Sequence, residues 1–221
     1  MPKPPRTKSG ATESRDAALR ASNPGASEPA DIRPQYEALG VDGFYAEHGA
    51  TYRNPHEATV KKLLETVALD WTLNLESVLD LACGSGEVTL ALRALGATVT
   101  GADPYTGAAY FDRTGNTAEA LSFEDIAGGA LEGRAYSLVV CSFALHLAPV
   151  SRLPLVAFRL AQVSPALLIL TPHKRPEIKA EWGWTRQRET ILERVRARLY
   201  RSQMDRSSLA NQVVSDDAKI F

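Results

Sequence analysis

The tightest constraint in this 221-residue chain is the run Val78-Leu79-Asp80-Leu81-Ala82-Cys83-Gly84-Ser85-Gly86, followed at once by the helical pattern from Glu87 to Leu95. A short apolar strand breaks into a glycine turn, and a helix begins that Gly96 stops. Gly84 and Gly86 allow a tight turn and a close approach of backbone to ligand. The helix then aims its free N–H groups at that ligand, an arrangement that favours an anionic group such as a carboxylate.

The same grammar continues downstream. Ala97 to Ala102 reads as a second strand ending at Asp103, a weak third strand lies around Leu121-Ser122-Phe123, and Ser137 to Cys141 is a clear fourth. Ser151 can cap a helix running to about Val163, and Ala166 to Leu170 is a fifth strand closed by Thr171-Pro172. Short apolar strands interleaved with helices predict an α/β domain with a parallel sheet covered on both faces. Upstream, Asn54-Pro55-His56-Glu57 has the form of a helix start, with Asn54 as N-cap, Pro55 as first helical residue and Glu57 as the returning carboxylate of a capping box. Val60, Leu63, Leu64 and Val67 then mark one apolar face. Residues 191–200 alternate Arg194, Arg196 and Arg198 with Val195, Ala197 and Leu199, which suits a half-buried edge strand, although Ile191, Leu192, Val195 and Leu199 also fit a helix.

The glycine loop is short of phosphate-binding parts. A dinucleotide fingerprint needs a third glycine where Thr89 stands, and no lysine follows for a phosphate loop. Asp80 would repel a pyrophosphate but suits the ammonium of an amino-acid moiety, held through water. Asp103 can accept from both hydroxyls of an adenosine ribose, with Pro104 and Tyr105 flanking the adenine. In Phe123-Glu124-Asp125-Ile126 a carboxylate can accept from the adenine amino group while Ile126 packs on the ring. Three strand ends of this kind line one crevice in an open α/β sheet.

Taken in order, Val78 to Gly86, Gly101-Ala-Asp103, Phe123 to Ile126 and Tyr136-Ser-Leu-Val-Val-Cys-Ser142 resemble the motif series of class I S-adenosylmethionine methyltransferases, over roughly residues 60–172. The resemblance implies an open, mostly parallel Rossmann-like sheet with helices on both faces. It implies that Asp80, Ala82, Cys83, Gly84, Ser85 and Gly86 hold the methionine end of S-adenosylmethionine. It further implies Asp103 on the ribose and Asp125 or Glu124 near adenine, with Cys141 closing the pocket wall. The family closes its sheet with an antiparallel pair; one strand is visible here, so a shortened C-terminal edge is expected. The expected organisation is a disordered tail over 1–32, a methyltransferase domain over 33–202 and a polar tail over 203–221. Within the domain, 33–70 form a lid and helix, 71–172 the cofactor-binding core and 173–202 the C-terminal edge.

The resemblance puts Cys141-Ser-Phe-Ala-Leu-His146-Leu beside the transferring methyl. His146 is the candidate base or acceptor-orienting group, and Tyr45, Tyr52, Arg53, His56 and His173 are candidates for the rim around the acceptor. The Asn/Asp-Pro-Pro-Tyr/Phe pattern of enzymes that methylate base amines or glutamine amides is missing, which lowers those substrates. The acceptor class stays open among RNA, protein and small molecule. Methyl transfer from a sulfonium depends largely on in-line positioning, and a base is needed only where the acceptor must lose a proton early. A catalytically silent cofactor-binding scaffold is the alternative of another class, and a nucleotide-sugar or NAD enzyme is disfavoured by Thr89.

Composition narrows the setting. The net charge is −1, so attraction to nucleic acid needs a local patch. Between Lys174 and Arg206 there are ten Lys/Arg against five Asp/Glu, and Arg194, Arg196 and Arg198 on one face would make an RNA-backbone stripe. A solvated charged face is the commoner explanation of such a run. Trp182 and Trp184 could stack a base or anchor the final segment. No apolar run approaches the ~20 residues that span a bilayer. Two cysteines in strand-like surroundings, Cys83 and Cys141, suggest pocket packing in a reducing compartment. No Cys/His spacing suggests a metal site. These features point to the cytoplasm, with nuclear or organellar import left open by Lys3, Arg6, Lys8, Arg15 and Arg20.

Overall fold

A computed structural model of the chain describes Gly43, Tyr45 and residues 47–204. The expected tail over 1–32, the start of the lid segment and the polar tail from 205 lie outside the described residues. Five helices are labelled here: α1 (Glu57–Asp70), α2 (Glu87–Ala94), α3 (Gly107–Thr114), α4 (Phe123–Gly128) and α5 (Leu153–Val163). The strands are β1 (Val78–Leu81), β2 (Val99–Ala102), β3 (Leu138–Ser142), β4 (Ala166–Thr171), β5 (Trp184–Leu192) and β6 (Val195–Ser202). They form one sheet in the order β2-β1-β3-β4-β6-β5. The first four run parallel, and β6 pairs antiparallel with both β4 and β5. The architecture is therefore the expected open, mostly parallel α/β sheet, closed at one edge by an antiparallel hairpin.

Strand alternation builds two cores. Leu79, Leu81, Val139, Cys141, Leu167 and Ile169 pack on one face with α4, α5 and Trp184. Val78, Leu138, Val140, Leu168 and Leu170 pack on the other with the apolar stripes of α1 and α2. Both faces of the parallel strands are dry, so these strands read as apolar runs without polar alternation. The one charged residue in these four strands is Asp80, which is 1% exposed and lies between Leu79 and Leu81 in β1.

Three expectations change. The weak third strand does not form. Glu119 makes a single parallel bridge to Ala102, and Ser122 then caps α4 through a capping box with Asp125. A serine three residues before an acid is a helix start, and that signal outweighs the apolar Leu121 and Phe123. At α1 the capping box is absent. Asn54 Oδ1 accepts from the His56 N–H (2.9 Å), the helix begins at Glu57, and the Glu57 carboxylate pairs with Arg113. At the C-terminal end there are two strands where one was expected, and β6 lies inside the sheet rather than on its edge.

The hairpin is anchored by Trp184, 1% exposed, whose Nε1–H donates to the carbonyl of Ala157 in α5 (2.7 Å). Trp184 thus joins β5 to the helical layer and is unavailable for stacking on a substrate. Replacing it by alanine removes a large buried ring and a bond to α5. Trp184→Ala is expected to lower unfolding stability by about 3–5 kcal/mol in denaturant titrations.

Candidate functional site

The parallel strands end together, and the chain leaves them in opposite directions on either side of the β1–β3 pair. Open α/β sheets form their ligand crevice at such a switch point. Here it is a cavity of about 670 Å³, within the range of small-molecule sites. Its floor is the β1 end and the loop beyond it, Asp80 to Gly84, with Glu87 and Val88 from the start of α2. Asp103, Pro104 and Tyr105 follow β2 along the wall, and Leu121 to Glu124 close one side. Ser142 and Phe143 enter from the end of β3, and Tyr45, Tyr52 and Asn54 come from the N-terminal segment.

Two turns at this level are held in the left-handed region at non-glycine residues, Ala82 (φ 57°) and Phe143 (φ 55°). Such residues cost of order 1–3 kcal/mol and concentrate where function shapes the backbone. Gly84 (φ 55°) is needed for a further reason: a Cβ there would stand 3.1 Å from the Tyr52 ring. The glycine loop and the N-terminal segment meet at that contact.

Asp80 is the chemical centre of the floor. Its Oδ2 accepts from the Thr89 hydroxyl (2.6 Å), and Thr89 in turn bonds the Tyr110 hydroxyl (3.1 Å). Its Oδ1 is buried and has no partner. Burial, aided by the nearby charges of Glu87 and Asp103, pushes the Asp80 carboxyl up to about 7 despite the Thr89 bond. Asp80 lines the cavity, and a carboxylate with an unused oxygen can accept from a cationic group. Thr89, which breaks the dinucleotide pattern in sequence, is the residue that orients this acid.

Asp103 organises the next turn. Its Oδ2 accepts from the Gly84 N–H (3.2 Å), and its Oδ1 from the N–H groups of Tyr105 (2.9 Å) and Thr106 (3.0 Å). Glu87 accepts from Ser85 Oγ, from the Asn54 N–H (3.1 Å) and from Arg113 (3.1 Å), and Arg113 also grips Glu57 (2.5 Å). This network straps residues 54–57 across the mouth of the glycine loop. Above it Tyr45 stacks on Tyr105 (5.8 Å between centroids) and meets Tyr52 edge-on (5.5 Å).

The remaining candidates separate. Ser85 and Gly86 shape the loop from behind the wall; a Cβ on Gly86 would stand 2.5 Å from Thr114. Cys141 and Ile126 are fully buried in the core behind the cavity. Burial pushes both the Cys83 and Cys141 thiols upward, Cys141 to about 12, so neither favours the thiolate. Asp125 is exposed and engaged with Ser122, whose hydroxyl and N–H hold its carboxyl below the usual range. Glu124 does line the cavity, and pairs with Arg152 (3.1 Å). Arg53 is exposed and donates to the Tyr52 carbonyl. His56 stacks on Phe143 (5.1 Å), and His146 and His173 meet each other (4.6 Å), all three outside the wall itself. Sequence reasoning named Ser142 and Phe143 only as part of the segment placed beside the methyl and gave Thr89 and Arg113 no role in the site; of these two only Thr89 carried a signal.

The arginine stripe is not present as expected. Arg198 is 4% exposed and, like Arg196, pairs with Glu189; Arg194 sits in the β5–β6 turn at φ 70°. No continuous cationic face remains there for an RNA backbone. Among the described residues no cluster of three or more His, Cys, Asp or Glu could hold a metal ion, and no helix is long and apolar enough to cross a membrane.

The Asp80 shift has a consequence for stability. A carboxyl raised in the fold binds a proton that the unfolded chain has already lost, so stability falls as pH rises from about 3.8 to about 7 and levels above that. Asp80→Asn should remove this contribution, a slope of roughly 1.4 kcal/mol per pH unit, from ligand-free unfolding curves recorded across the window.

Comparison with known proteins bears on this geometry. A family model described as a methyltransferase domain matches residues 79–160. An uncharacterized protein of Schizosaccharomyces pombe is 34% identical over 230 residues, covering 79% of this chain and 93% of that protein. Among solved structures, the magnesium protoporphyrin IX methyltransferase of Synechocystis PCC 6803 with bound S-adenosylmethionine superposes with a TM-score of 0.51 at 18% identity, over 80% of this chain and 98% of that one. The N-methyltransferase NodS of Bradyrhizobium japonicum WM9, in complex with S-adenosylhomocysteine, gives 0.55 at 13% identity, over 76% and 98%. At such identities the likeness is one of fold.

Proposed function

Because the chain belongs to the class I S-adenosylmethionine-dependent methyltransferase family, we propose that it binds S-adenosylmethionine in this cavity and transfers its methyl group to an acceptor. The observation that carries the reading is Asp80 Oδ1, a buried carboxylate oxygen without a partner in the cavity wall. It matches the ammonium of the cofactor's methionine moiety. The residues around it fit the rest. The loop from Ala82 to Gly84 receives the methionine end beside the N-terminus of α2. Asp103 accepts from the ribose, and Pro104, Tyr105 and the Leu121–Glu124 wall enclose the base. Tyr45 and Tyr52 close over the glycine loop and exclude water.

When bound, the cofactor supplies an electrophilic methyl on sulfonium, so the protein's task is mainly alignment and desolvation. Phe143, held at φ 55° by the end of β3, projects from the side where the acceptor would enter. His146 remains the candidate base or acceptor-orienting group in the same loop. One observation favours a silent cofactor-binding scaffold instead: His146 does not line the cavity. Incubating cell fractions with methyl-labelled cofactor separates the two. Labelled product supports turnover, and complete absence of label in every fraction supports the scaffold.

Calorimetry with S-adenosylhomocysteine tests the site. Removing one partner of a charged hydrogen bond costs about 1.5–3 kcal/mol, so Asp80→Asn and Asp103→Ala should each weaken binding roughly ten- to a hundredfold. Unchanged affinity in both variants sinks the assignment. Ionised Asp80 is the form that pairs with an ammonium, so wild-type affinity should rise as pH climbs toward and through about 7. The Asp80→Asn variant should lack that rise.

A further inference from the structure

The cavity wall divides by chemistry. Its charged residues, Asp80, Glu87, Asp103 and Glu124, are all acids, and no Lys, Arg or His among the described residues lines it. Glu87 holds Arg113 and Glu124 pairs with Arg152, while Asp80 and Asp103 serve the cofactor in the reading above. A separate stretch of wall comes from the end of β3 and the turn beyond it: Ser142, Phe143, Ala144, Leu147 and Pro149. This stretch is uncharged and, Ser142 apart, apolar. It is also firmly placed. Ser142 sits in register with Leu170 of β4, the Phe143 N–H donates to the Leu170 carbonyl (2.8 Å), and the His56 ring stacks on Phe143 (5.1 Å). The Ser142 hydroxyl is buried and has no partner.

We propose that this stretch is the acceptor subsite, and that the acceptor is a small molecule with an apolar, ring-bearing body and a weakly basic arylamine nitrogen held by the Ser142 hydroxyl. The inference rests on the methyltransferase reading and deepens it by naming the acceptor class. An apolar wall with one unsatisfied hydroxyl suits an apolar body carrying one polar group, since a second buried polar group would go unpaired. The acidic lining disfavours an anion. A carboxylate, a phosphate or a nucleic-acid backbone would be repelled, and a phenol would resist forming its phenolate. An alkylamine, such as a lysine side chain, would be held protonated by the same carboxylates, with no lone pair to offer. An arylamine escapes both obstacles, because it is neutral at neutral pH and still nucleophilic.

The chemistry then needs no base in the wall, and His146, which does not line the cavity, is not required as one. The amine N–H donates to Ser142 Oγ and leaves the nitrogen lone pair free for the methyl group. That pair forms the N–C bond as the C–S bond breaks and its electrons stay on sulfur. Positive charge passes from sulfur to nitrogen within acidic surroundings that favour it at either place, and the nitrogen then releases its proton to water.

The test uses the full-length chain saturated with S-adenosylhomocysteine, with binding read by calorimetry at neutral pH. 1-Naphthylamine, uncharged there, is expected to bind saturably, and the anion 1-naphthoate is not. Ser142→Ala should weaken 1-naphthylamine binding roughly three- to tenfold, the contribution of one neutral hydrogen bond, while S-adenosylhomocysteine affinity is unchanged. With methyl-labelled S-adenosylmethionine supplied instead, mass spectrometry should find label on the nitrogen of 1-naphthylamine and none on 1-naphthol or n-butylamine. Binding of 1-naphthoate as tight as that of the amine, no saturable binding or labelling of the amine, an unaffected Ser142→Ala variant, or label on 1-naphthol or n-butylamine overturns the inference without touching the methyltransferase reading. Failure of the wild-type chain to bind S-adenosylhomocysteine overturns both.

Discussion

The bond between Thr89 and Asp80 is the contact on which the rest of the site depends. Strand alternation turns Asp80 toward the α2 face of the sheet, where only apolar side chains would otherwise meet it. Burying a carboxyl there is costly unless it is neutralised or hydrogen-bonded. Thr89, one turn into α2, supplies one bond, and Tyr110 of α3 fixes Thr89 in turn. The second oxygen is buried and has no partner. Burial raises this carboxyl's hold on its proton, and a cation placed against it would favour the ionised form.

The strap around the glycine loop follows from a second buried acid. Glu87 collects Ser85, Asn54 and Arg113, and Arg113 carries the connection on to Glu57. One guanidinium therefore ties α1, α2 and α3 together at the mouth of the cavity. Partner geometry matters more here than pairwise strength, since Glu57 is substantially exposed and an exposed pair contributes little by itself. The benefit lies in order: the tyrosines above the loop are held where they can close on a ligand.

Much of this was legible from residue pattern. The strands β1, β2, β3 and β4 are apolar runs bounded by glycine, serine or proline, and the loop from Asp80 to Gly86 announces its own turn. The weak third strand misled because Leu121 and Phe123 are apolar, while the Ser122/Asp125 pair that caps α4 was present in the same four residues. The C-terminal hairpin was half-hidden because β5 is largely exposed along Thr185–Thr190 and lacks an apolar period. The arginine stripe failed for a reason no local pattern contains. Glu189 lies across the hairpin, and only pairing in register sets it beside Arg196 and Arg198.

The part least accessible to sequence is the backbone strain. Ala82 and Phe143 are ordinary residues in a conformation that glycine adopts freely. They follow the ends of β1 and β3, strands in direct register with Leu81 opposite Cys141. The two chains therefore leave the sheet at nearly the same height, each by a left-handed step. Glycine would relieve the strain at either place but would also loosen the turn. At position 143 it would remove the ring that supports His56. The strain is best understood as the consequence of parting two adjacent parallel strands abruptly, which is also what opens the crevice between them.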